Sequence, residues 1–279
     1  MKVGQQPGET PVTAIVLAGR REGQVDPLAA DAGLEDKCMV PVAGKPMIMH
    51  VLAALDATPQ IGRIVVSINE PTMLDDLVLV RALKASGKLT VLAAQANLVD
   101  SVFAAVERMP FPLFITTADS ALLTPEIASE FLAGAAAADV AVGFARKQAV
   151  LAAHPEGQRR FYKFSEDGYS NCNAYWIGGS DGLKMAEVFR TGGQFAKHPL
   201  RIVEAFGFLN LLRFHYGIGT LDGAFQRFSR RFALDIKPVI LSDGAAAIDV
   251  DNARTLGVTE TILARRYSAE GTGLQRIAS

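Results

Sequence analysis

The sequence is poor in the residues that build disulfide frameworks, metal clusters and aromatic surfaces. Its 279 residues include two cysteines, four histidines and one tryptophan, and aromatic residues make up 8% of the chain. Neither Cys38 with Cys172 nor the histidines show the spacing of metal ligands, and two cysteines form no disulfide framework. We therefore expect a reducing compartment, the cytoplasm, for this chain.

An excess of either charge sign is also missing. The 28 lysine and arginine residues balance 29 aspartate and glutamate residues, which argues against a dedicated nucleic-acid-binding protein. A hydrophobic fraction of 49% is too high for a disordered chain. No run approaches the ~18 apolar residues of a membrane span, and residues 1–11 lack the apolar core of a signal peptide. We expect a folded protein that does not cross a membrane.

Apolar runs of strand length alternate with longer amphipathic stretches in the first half of the chain. This alternation is typical of βα units around a mainly parallel sheet. The predicted strands are 13–17, 63–68, 90–93, 113–117 and 140–144. The predicted helices are 46–55, 71–86, 99–109 and 125–137.

The second half is less regular. We predict strands at 161–164, 174–177, 238–241 and 247–250, a helical stretch at 183–232 and a last helix at 253–266. The whole pattern indicates one Rossmann-like, three-layer α/β domain over 12–266 with a mixed, mainly parallel sheet. It carries a helical insertion at about 183–235, and residues 1–11 and 267–279 are expected to be flexible tails.

The insertion differs in charge from the rest of the chain. Residues 197–235 hold six basic and three acidic residues, a net charge of +3. A stripe of Phe and Leu at helical spacing accompanies them, which is more typical of a helix that faces the core. Contact with a membrane surface or a partner protein is the alternative interpretation.

The first predicted strand opens into a turn with the sequence Leu17-Ala18-Gly19-Arg20-Arg21-Glu22-Gly23. Ligands of open α/β sheets bind beyond the carboxyl ends of the strands, where glycine lets backbone N–H groups approach phosphate oxygens. Arginine adds charged hydrogen bonds there. The turn does not fit a dinucleotide-binding motif, which needs Gly-x-Gly-x-x-Gly running directly into a helix. It does not fit a P-loop either, which needs Gly-Lys followed by Ser or Thr, because Gly44-Lys45 is followed by Pro46. A purely structural tight turn is the alternative.

Lys37 and then Gly44-Lys45-Pro46 follow this turn and lead into the first long helix. Together with Leu17-Ala18-Gly19, they match in order the elements of the MobA-like NTP transferases. The chain resembles this nucleotidyltransferase family, which has a GT-A-like fold and includes molybdenum-cofactor guanylyltransferases and sugar-phosphate nucleotidyltransferases. The resemblance covers residues 13–142 well and 171–265 loosely, and it does not cover the insertion.

The resemblance implies a loop that wraps a nucleoside triphosphate and a lysine that neutralises charge as pyrophosphate leaves. The lysine implied by the resemblance is Lys37, and together with Arg20 and Arg21 of the turn it gives the predicted catalytic cations. The implied nucleotide-binding residues are Leu17, Ala18, Gly19, Gly23 and Ser101. Lysine suits this task as a flexible point charge, and the alternative for Lys37 is a solvated surface lysine.

Asp119 follows the predicted strand 113–117, at the ligand-binding edge of the sheet. Thr124-Pro125 already supplies the cap and first turn of the next helix, which disfavours a capping role for Asp119. The segment resembles the Gly-Asp-x-Pro-Leu-Leu of the family, whose Asp holds the catalytic Mg²⁺. Ala118 and Ala121 replace its usual Gly and Pro.

A second pair of carboxylates, Asp249 and Asp251, lies near the end of the chain. On a strand, residues two apart face the same side, so both are candidate metal ligands. The resemblance implies that Asp251 completes the Mg²⁺ site, and Mg²⁺ needs few protein carboxylates when phosphate oxygens are present. The alternative is that Asp251 or Asn252 only caps the last helix.

Two weaker matches complete the candidate site. Ser101 resembles a residue that touches the nucleobase and ribose, and Asn173 resembles an asparagine that reaches the acceptor substrate. Turn and cap chemistry explains both positions equally well.

The loop before Lys37 departs from the family pattern. Arg20 stands where a second glycine is usual, and the loop is more acidic, with Asp26, Asp31, Glu35 and Asp36. We expect an Mg²⁺-dependent nucleotidyltransferase that acts on an NTP and a small phosphorylated acceptor, with base and acceptor left open. The rival hypotheses are a GT-A glycosyltransferase that uses Asp249-Val250-Asp251 and a non-catalytic nucleotide sensor.

Overall fold

The computed structural model describes residues 10–20, 25–185, 187, 216 and 218–277. The strands are β1 (Val12–Leu17), β2 (Pro41–Val42), β3 (Lys45–Pro46), β4 (Ile61–Ile68), β5 (Leu89–Ala93), β6 (Leu113–Thr117), β7 (Val140–Arg146), β8 (Tyr162–Lys163), β9 (Gly168–Ile177) and β10 (Ile236–Leu241). The helices are α1 (Pro27–Asp31), α2 (Met47–Ala57), α3 (Val78–Ala85), α4 (Leu98–Val106), α5 (Pro125–Ala135), α6 (Lys147–Ala153), α7 (Leu221–Phe232) and α8 (Ala253–Ile277). Their order confirms the predicted α/β class.

The described strands form one large mixed sheet and a small ribbon. The order in the large sheet is β10-β7-β9-β6-β1-β4-β5, with β8 paired to β9, and β2 pairs with β3 in the ribbon. Strand β1 is parallel to β4 and β6, β4 is parallel to β5, and β7 is parallel to β10. Within the described part of the large sheet, β9 alone runs against the other strands, and it is antiparallel to β6, β7 and β8. The sheet is therefore mixed and mainly parallel, as predicted.

Alternating residues of the strands face two different apolar layers. In β1, Ala14 and Val16 pack into a cluster that includes α2, α3, α5 and α8, whereas Ile15 packs on the opposite face against α4. A third cluster joins α7 to β7, β9 and β10. Helices thus cover both faces of the sheet.

The part of the predicted insertion that the structure describes is a core element. In α7, Leu221 and Phe225 are buried, and the ring of Phe225 lies edge-on to Phe144 with centroids 5.8 Å apart. The predicted stripe of Phe and Leu, within residues 206–214, lies wholly outside the described residues. Among the residues that are described, no helix is both long and apolar enough to span a bilayer.

Several predicted boundaries are wrong. The predicted helix 71–86 is a 3-10 turn, Pro71–Leu74, followed by α3, and the last helix continues past 266 to Ile277. Helix α6 was not predicted. The predicted strand 247–250 does not form, because Gly244–Ala247 adopt a buried 3-10 turn that packs against α6 and β9.

The Gly244 turn is built on the close approach of two backbones. A Cβ at Gly244 would overlap the backbone of Ala149 and Val150 in α6. We predict that Gly244→Ala lowers the free energy of unfolding by about 2 kcal/mol or more, because either the turn or α6 must move. Urea unfolding measures the change.

The matched control is Gly257→Ala within α8, where a Cβ meets nothing within 4 Å. This change should raise stability by about 0.5–1 kcal/mol, since alanine loses less backbone freedom in a helix. Equal effects of the two substitutions would contradict the packing argument.

Candidate active site

The carboxyl edge of the sheet gathers the predicted site residues at the ends of β1 and β6. These strands are adjacent and parallel, with Leu17 opposite Thr117. After β10 the chain returns to the same edge, where the backbone N–H of Val250 donates to the carbonyl of Asp119 at 3.1 Å. That single bond brings Asp251 beside Asp119.

Lys37 joins the two carboxylates. Its Nζ lies 2.8 Å from Asp119 Oδ2 and 2.9 Å from Asp251 Oδ1, and only 20% of its side chain is exposed. Burial by itself would lower the pKa of Lys37, but the ion pairs and hydrogen bonds with Asp119 and Asp251 outweigh it and raise this pKa. Lys37 is therefore charged at neutral pH and is not a solvated surface lysine.

Asp119 is held from its other side by Thr117. The Thr117 hydroxyl donates to Asp119 Oδ1 at 2.5 Å and lies 3.1 Å from Ser120 Oγ. Thr124 caps α5 by accepting from the N–H of Ile127, so Asp119 has no capping task, as predicted. Thr117 was missed at the sequence level, although its place two residues before Asp119 on the last rung of β6 is a usable signal.

Asp251 is likewise free of the cap of α8. Asn252 Oδ1 accepts from the N–H of Thr255, and Thr255 Oγ1 accepts from the N–H groups of Asp251 and Asn252. The first turn is thus satisfied by Asn252 and Thr255. The Asp251 carboxylate remains available to Lys37.

Asp249 does not share a strand face with Asp251, because the predicted strand is absent. Its Oδ1 is buried without a hydrogen-bond partner, while Asn173 supplies a side-chain hydrogen bond. Burial, followed by the negative charges of Asp119 and Asp251, raises the pKa of Asp249 well above its ordinary value. The prediction that Asp249 and Asp251 face the same side of a strand is therefore wrong. The fold, not a shared strand, brings Asp249 close enough to Asp119 and Asp251 to feel their charges.

Asn173 lies at an irregularity of β9. It has a positive φ of 47°, and the pairing with β7 shifts there, because Val142 pairs with Tyr175 but Phe144 pairs with Asn171. Such bulges re-aim side chains and are frequent near active sites. The bulge brings the Asn173 amide to Asp249 at the carboxyl edge.

The turn after β1 is anchored by backbone groups. Leu17 O accepts from Ala118 N at 3.0 Å, and Ala18 N donates to Ser67 O at 2.8 Å. Gly19 needs to be glycine because a Cβ there would lie 2.8 Å from that of Ala94. Arg21 and Gly23 lie outside the described residues.

Two further predicted residues have internal hydrogen-bond partners. The Ser101 hydroxyl is buried, accepts from Gln95 N at 2.9 Å and donates to Asn97 O at 3.2 Å, which orders the loop before α4. Arg20 pairs with Glu35 and Asp36. Both arrangements stabilise the loops around the edge.

The donor set fits a hard divalent cation that arrives with its own ligands. Asp119 and Asp251 each direct a carboxylate oxygen toward the same atom, Lys37 Nζ. Within the described residues, no three His, Cys, Asp or Glu side chains are grouped so as to hold a metal by themselves. Mg²⁺ commonly takes one or two carboxylates and completes its shell with substrate phosphates and water.

Solved structures share the fold. A hypothetical transferase from Thermus thermophilus has a TM-score of 0.74 at 24% identity, over 88% of this chain and 100% of that chain. CMP:2-keto-3-deoxy-manno-octonic acid synthetase complexed with CTP has a TM-score of 0.55 at 14% identity, over 91% of this chain and 99% of that chain. 4-Diphosphocytidyl-2C-methyl-D-erythritol synthase from Anaerococcus prevotii has a TM-score of 0.55 at 9% identity, over 91% of this chain and 96% of that chain. The fold is thus the Rossmann-like α/β fold of nucleotidyltransferases.

The sequence itself matches the MobA-like NTP transferase domain over residues 14–210. The chain belongs to this family, and the resemblance drawn from Leu17-Ala18-Gly19 and Lys37 is confirmed. No curated protein matches the sequence. Family and fold together support nucleotidyl transfer as the general activity.

The position of Lys37 predicts how the free protein binds divalent cations. We expect Lys37→Met to bind Mn²⁺ at least about tenfold more tightly than the unmodified protein in the absence of nucleotide, because the competing ammonium is gone. Titration followed by the electron paramagnetic resonance of free Mn²⁺ measures the affinity.

Lys88→Met is the matched control. Lys88 forms a similar half-buried pair with Asp56 at 2.9 Å, at the opposite edge of the sheet. The Lys88→Met variant removes the same charge as Lys37→Met. An equal gain in Mn²⁺ affinity in both variants would show a general charge effect and would refute competition at Asp119 and Asp251.

Proposed function

We propose that this protein transfers a nucleotidyl group from a nucleoside triphosphate to a phosphorylated acceptor, releases pyrophosphate and depends on Mg²⁺. The observation that carries the proposal is the charged Lys37 ammonium held between Asp119 and Asp251 at the carboxyl edge. Membership of the MobA-like NTP transferase family supports the triphosphate as substrate.

The sheet order supports a division of the edge into two halves. Gly19 follows β1 on one side of Asp119, and Asn173 lies in β9 on the other side. In the proposed arrangement the triphosphate lies over the Gly19 turn, where glycine allows close approach of phosphate. The acceptor lies over β9, where the Asn173 amide is held by Asp249.

The proposed reaction is an in-line displacement. An oxygen of the acceptor phosphate attacks the α-phosphorus, and the bond from that phosphorus to the bridging oxygen of the β-phosphate breaks. Pyrophosphate leaves with the electron pair, and no covalent enzyme intermediate forms. The protein contributes position and charge, as is usual in phosphoryl chemistry.

Three side chains have distinct proposed tasks. Asp119 and Asp251 would hold Mg²⁺, which when bound neutralises phosphate charge. Lys37 would exchange its carboxylate partners for oxygens of the triphosphate and donate hydrogen bonds to them as charge develops. Its raised pKa keeps it protonated for this task. Thr117 would keep Asp119 in position through its hydrogen bond.

The geometry favours this function over a glycosyltransferase that uses Asp249-Val250-Asp251. Such a motif needs both carboxylates at one cation, whereas Asp249 bonds with Asn173 and Asp251 bonds with Lys37.

The proposed setting is the cytoplasm. Both cysteines, Cys38 and Cys172, are free and buried, as expected for a chain that folds in a reducing compartment. The proposed partners are small molecules, and the base of the nucleotide and the identity of the acceptor are to be found by screening.

The proposal is tested by a substrate screen. Thermal shifts with ATP, CTP, GTP and UTP, each with and without Mg²⁺, identify the nucleotide. Pyrophosphate release with sugar, alcohol and pterin phosphates then identifies the acceptor. Nucleotide binding without pyrophosphate release on any acceptor would favour a sensor instead.

Asp119→Asn provides the site-specific prediction. We expect Mg²⁺-dependent pyrophosphate release to fall about 100-fold or more, because the variant loses one of the two carboxylates that would hold Mg²⁺. The control is Asp56→Asn, which alters a lysine-paired aspartate at the far edge and should leave the rate unchanged. An undiminished rate in Asp119→Asn would overturn the proposal.

A further inference from the structure

Arg20 is joined to the two acidic residues that directly precede Lys37. Its Nη2 lies 3.0 Å from Glu35 Oε2, and its Nε lies 3.5 Å from Asp36 Oδ1. The two acids differ in environment, since 74% of the Glu35 side chain is exposed but only 2% of Asp36. Loss of the pairing with Asp36 is therefore the more costly one, because it would leave a buried charge without a partner.

Arg20 is the cation beside the buried Asp36 carboxylate. Neither oxygen of its buried carboxylate accepts a hydrogen bond. Burial raises the pKa of Asp36, Glu35 and Glu70 raise it further, and Arg20 is the group that lowers it. If Arg20 turned away to bind a phosphate, it would leave a buried charge without a counter-ion, which is costly in any protein.

The Arg20 backbone is anchored as well. Its N–H donates to Asn69 Oδ1 at 2.6 Å, at the end of β4. Asp36 in turn begins the 3-10 turn Lys37–Met39, because its carbonyl accepts from the N–H of Met39 at 3.0 Å. A continuous set of contacts thus runs from β4 through Arg20 and Asp36 to the backbone of Lys37.

We infer that Arg20 is a positioning residue that fixes Lys37 through Asp36 and does not bind the triphosphate. Three of the four acidic residues of the atypical loop then have structural tasks: Asp26 caps α1, and Glu35 and Asp36 hold Arg20. The inference deepens the proposed function only by saying how Lys37 is placed. It replaces the catalytic role that the sequence predicts for Arg20.

The two roles for Arg20 differ in their dependence on Asp36. A positioning residue acts through the buried carboxylate, so its removal should be harmless once that carboxylate is neutral. A phosphate ligand acts on the nucleotide directly, so its removal should be harmful whatever residue stands at position 36.

The test is a cycle of Arg20→Met, Asp36→Asn and the double variant. The first measurement is thermal unfolding without ligand. The second is reductive methylation of Lys37, followed by mass spectrometry, with Lys88 in the same molecule as reference. Neither measurement requires a nucleotide or an activity.

We expect Arg20→Met to unfold about 5 °C or more below the unmodified protein and to methylate Lys37 several-fold faster relative to Lys88. The double variant should match Asp36→Asn in both measurements. If Arg20→Met does not fold, recovery of a folded double variant gives the same answer. Unchanged values in Arg20→Met, or a double variant as impaired as Arg20→Met, would overturn the inference.

Nucleotide affinity adds a third measurement once a bound NTP is known. Arg20→Met should bind it more weakly, and the double variant should regain the affinity of Asp36→Asn. A loss that persists in the double variant would identify Arg20 as a phosphate ligand and refute the inference. If no NTP binds the unmodified protein, the proposed function fails, while unfolding and methylation still decide the role of Arg20.

Glu35→Gln serves as the matched control. It removes the shorter but exposed contact of Arg20 and should leave all three measurements near those of the unmodified protein. A larger effect from Glu35→Gln than from Asp36→Asn would contradict the central place given to the buried carboxylate.

Discussion

The carboxyl edge of this sheet depends on one cation between two carboxylates. Asp119 and Asp251 lie 82 and 214 residues from Lys37 in sequence, yet both contact its ammonium. Two carboxylates this close repel each other unless a positive charge lies between them. Partial burial strengthens both the repulsion and the attraction, because water screens them less. The fold therefore places a positive charge between these two carboxylates. In the proposed function, a metal would compete with the ammonium for the same oxygens.

The surrounding hydrogen bonds give each charged group one task. Thr117 supports Asp119, whereas Asn252 and Thr255 relieve Asp251 of capping α8. Arg20 forms ion pairs with the two acidic residues before Lys37. This division explains how an unusually acidic loop can coexist with a site for a triphosphate. Glu35 and Asp36 face Arg20 of their own chain, Asp26 caps α1, and in the proposed function the phosphate would meet Lys37 and the backbone.

Local patterns predicted the elements that face two apolar layers or begin with strong capping residues. Strand β1 and helix α5 belong to this group, because Val-rich runs and Thr124-Pro125 are signals contained in a few residues. The segment around Asp249 misled the prediction. Its alternating Ile-Asp-Val-Asp sequence is typical of a strand, but the packing of Gly244 against α6 holds it outside the sheet. Tertiary contacts override a propensity that is only four residues long.

Sequence alone determined the family, the α/β class and the identity of Lys37, Asp119 and Asp251 as candidates, since these rest on ordered motifs and on strand ends. Tertiary structure decided which of the candidates meet. In the folded chain, Lys37 bonds both Asp119 and Asp251, Asp249 bonds Asn173, and Arg20 forms an ion pair with Asp36. The physical reason is that an ion pair is selected by distance and burial, and neither quantity is encoded in the spacing of residues along a chain.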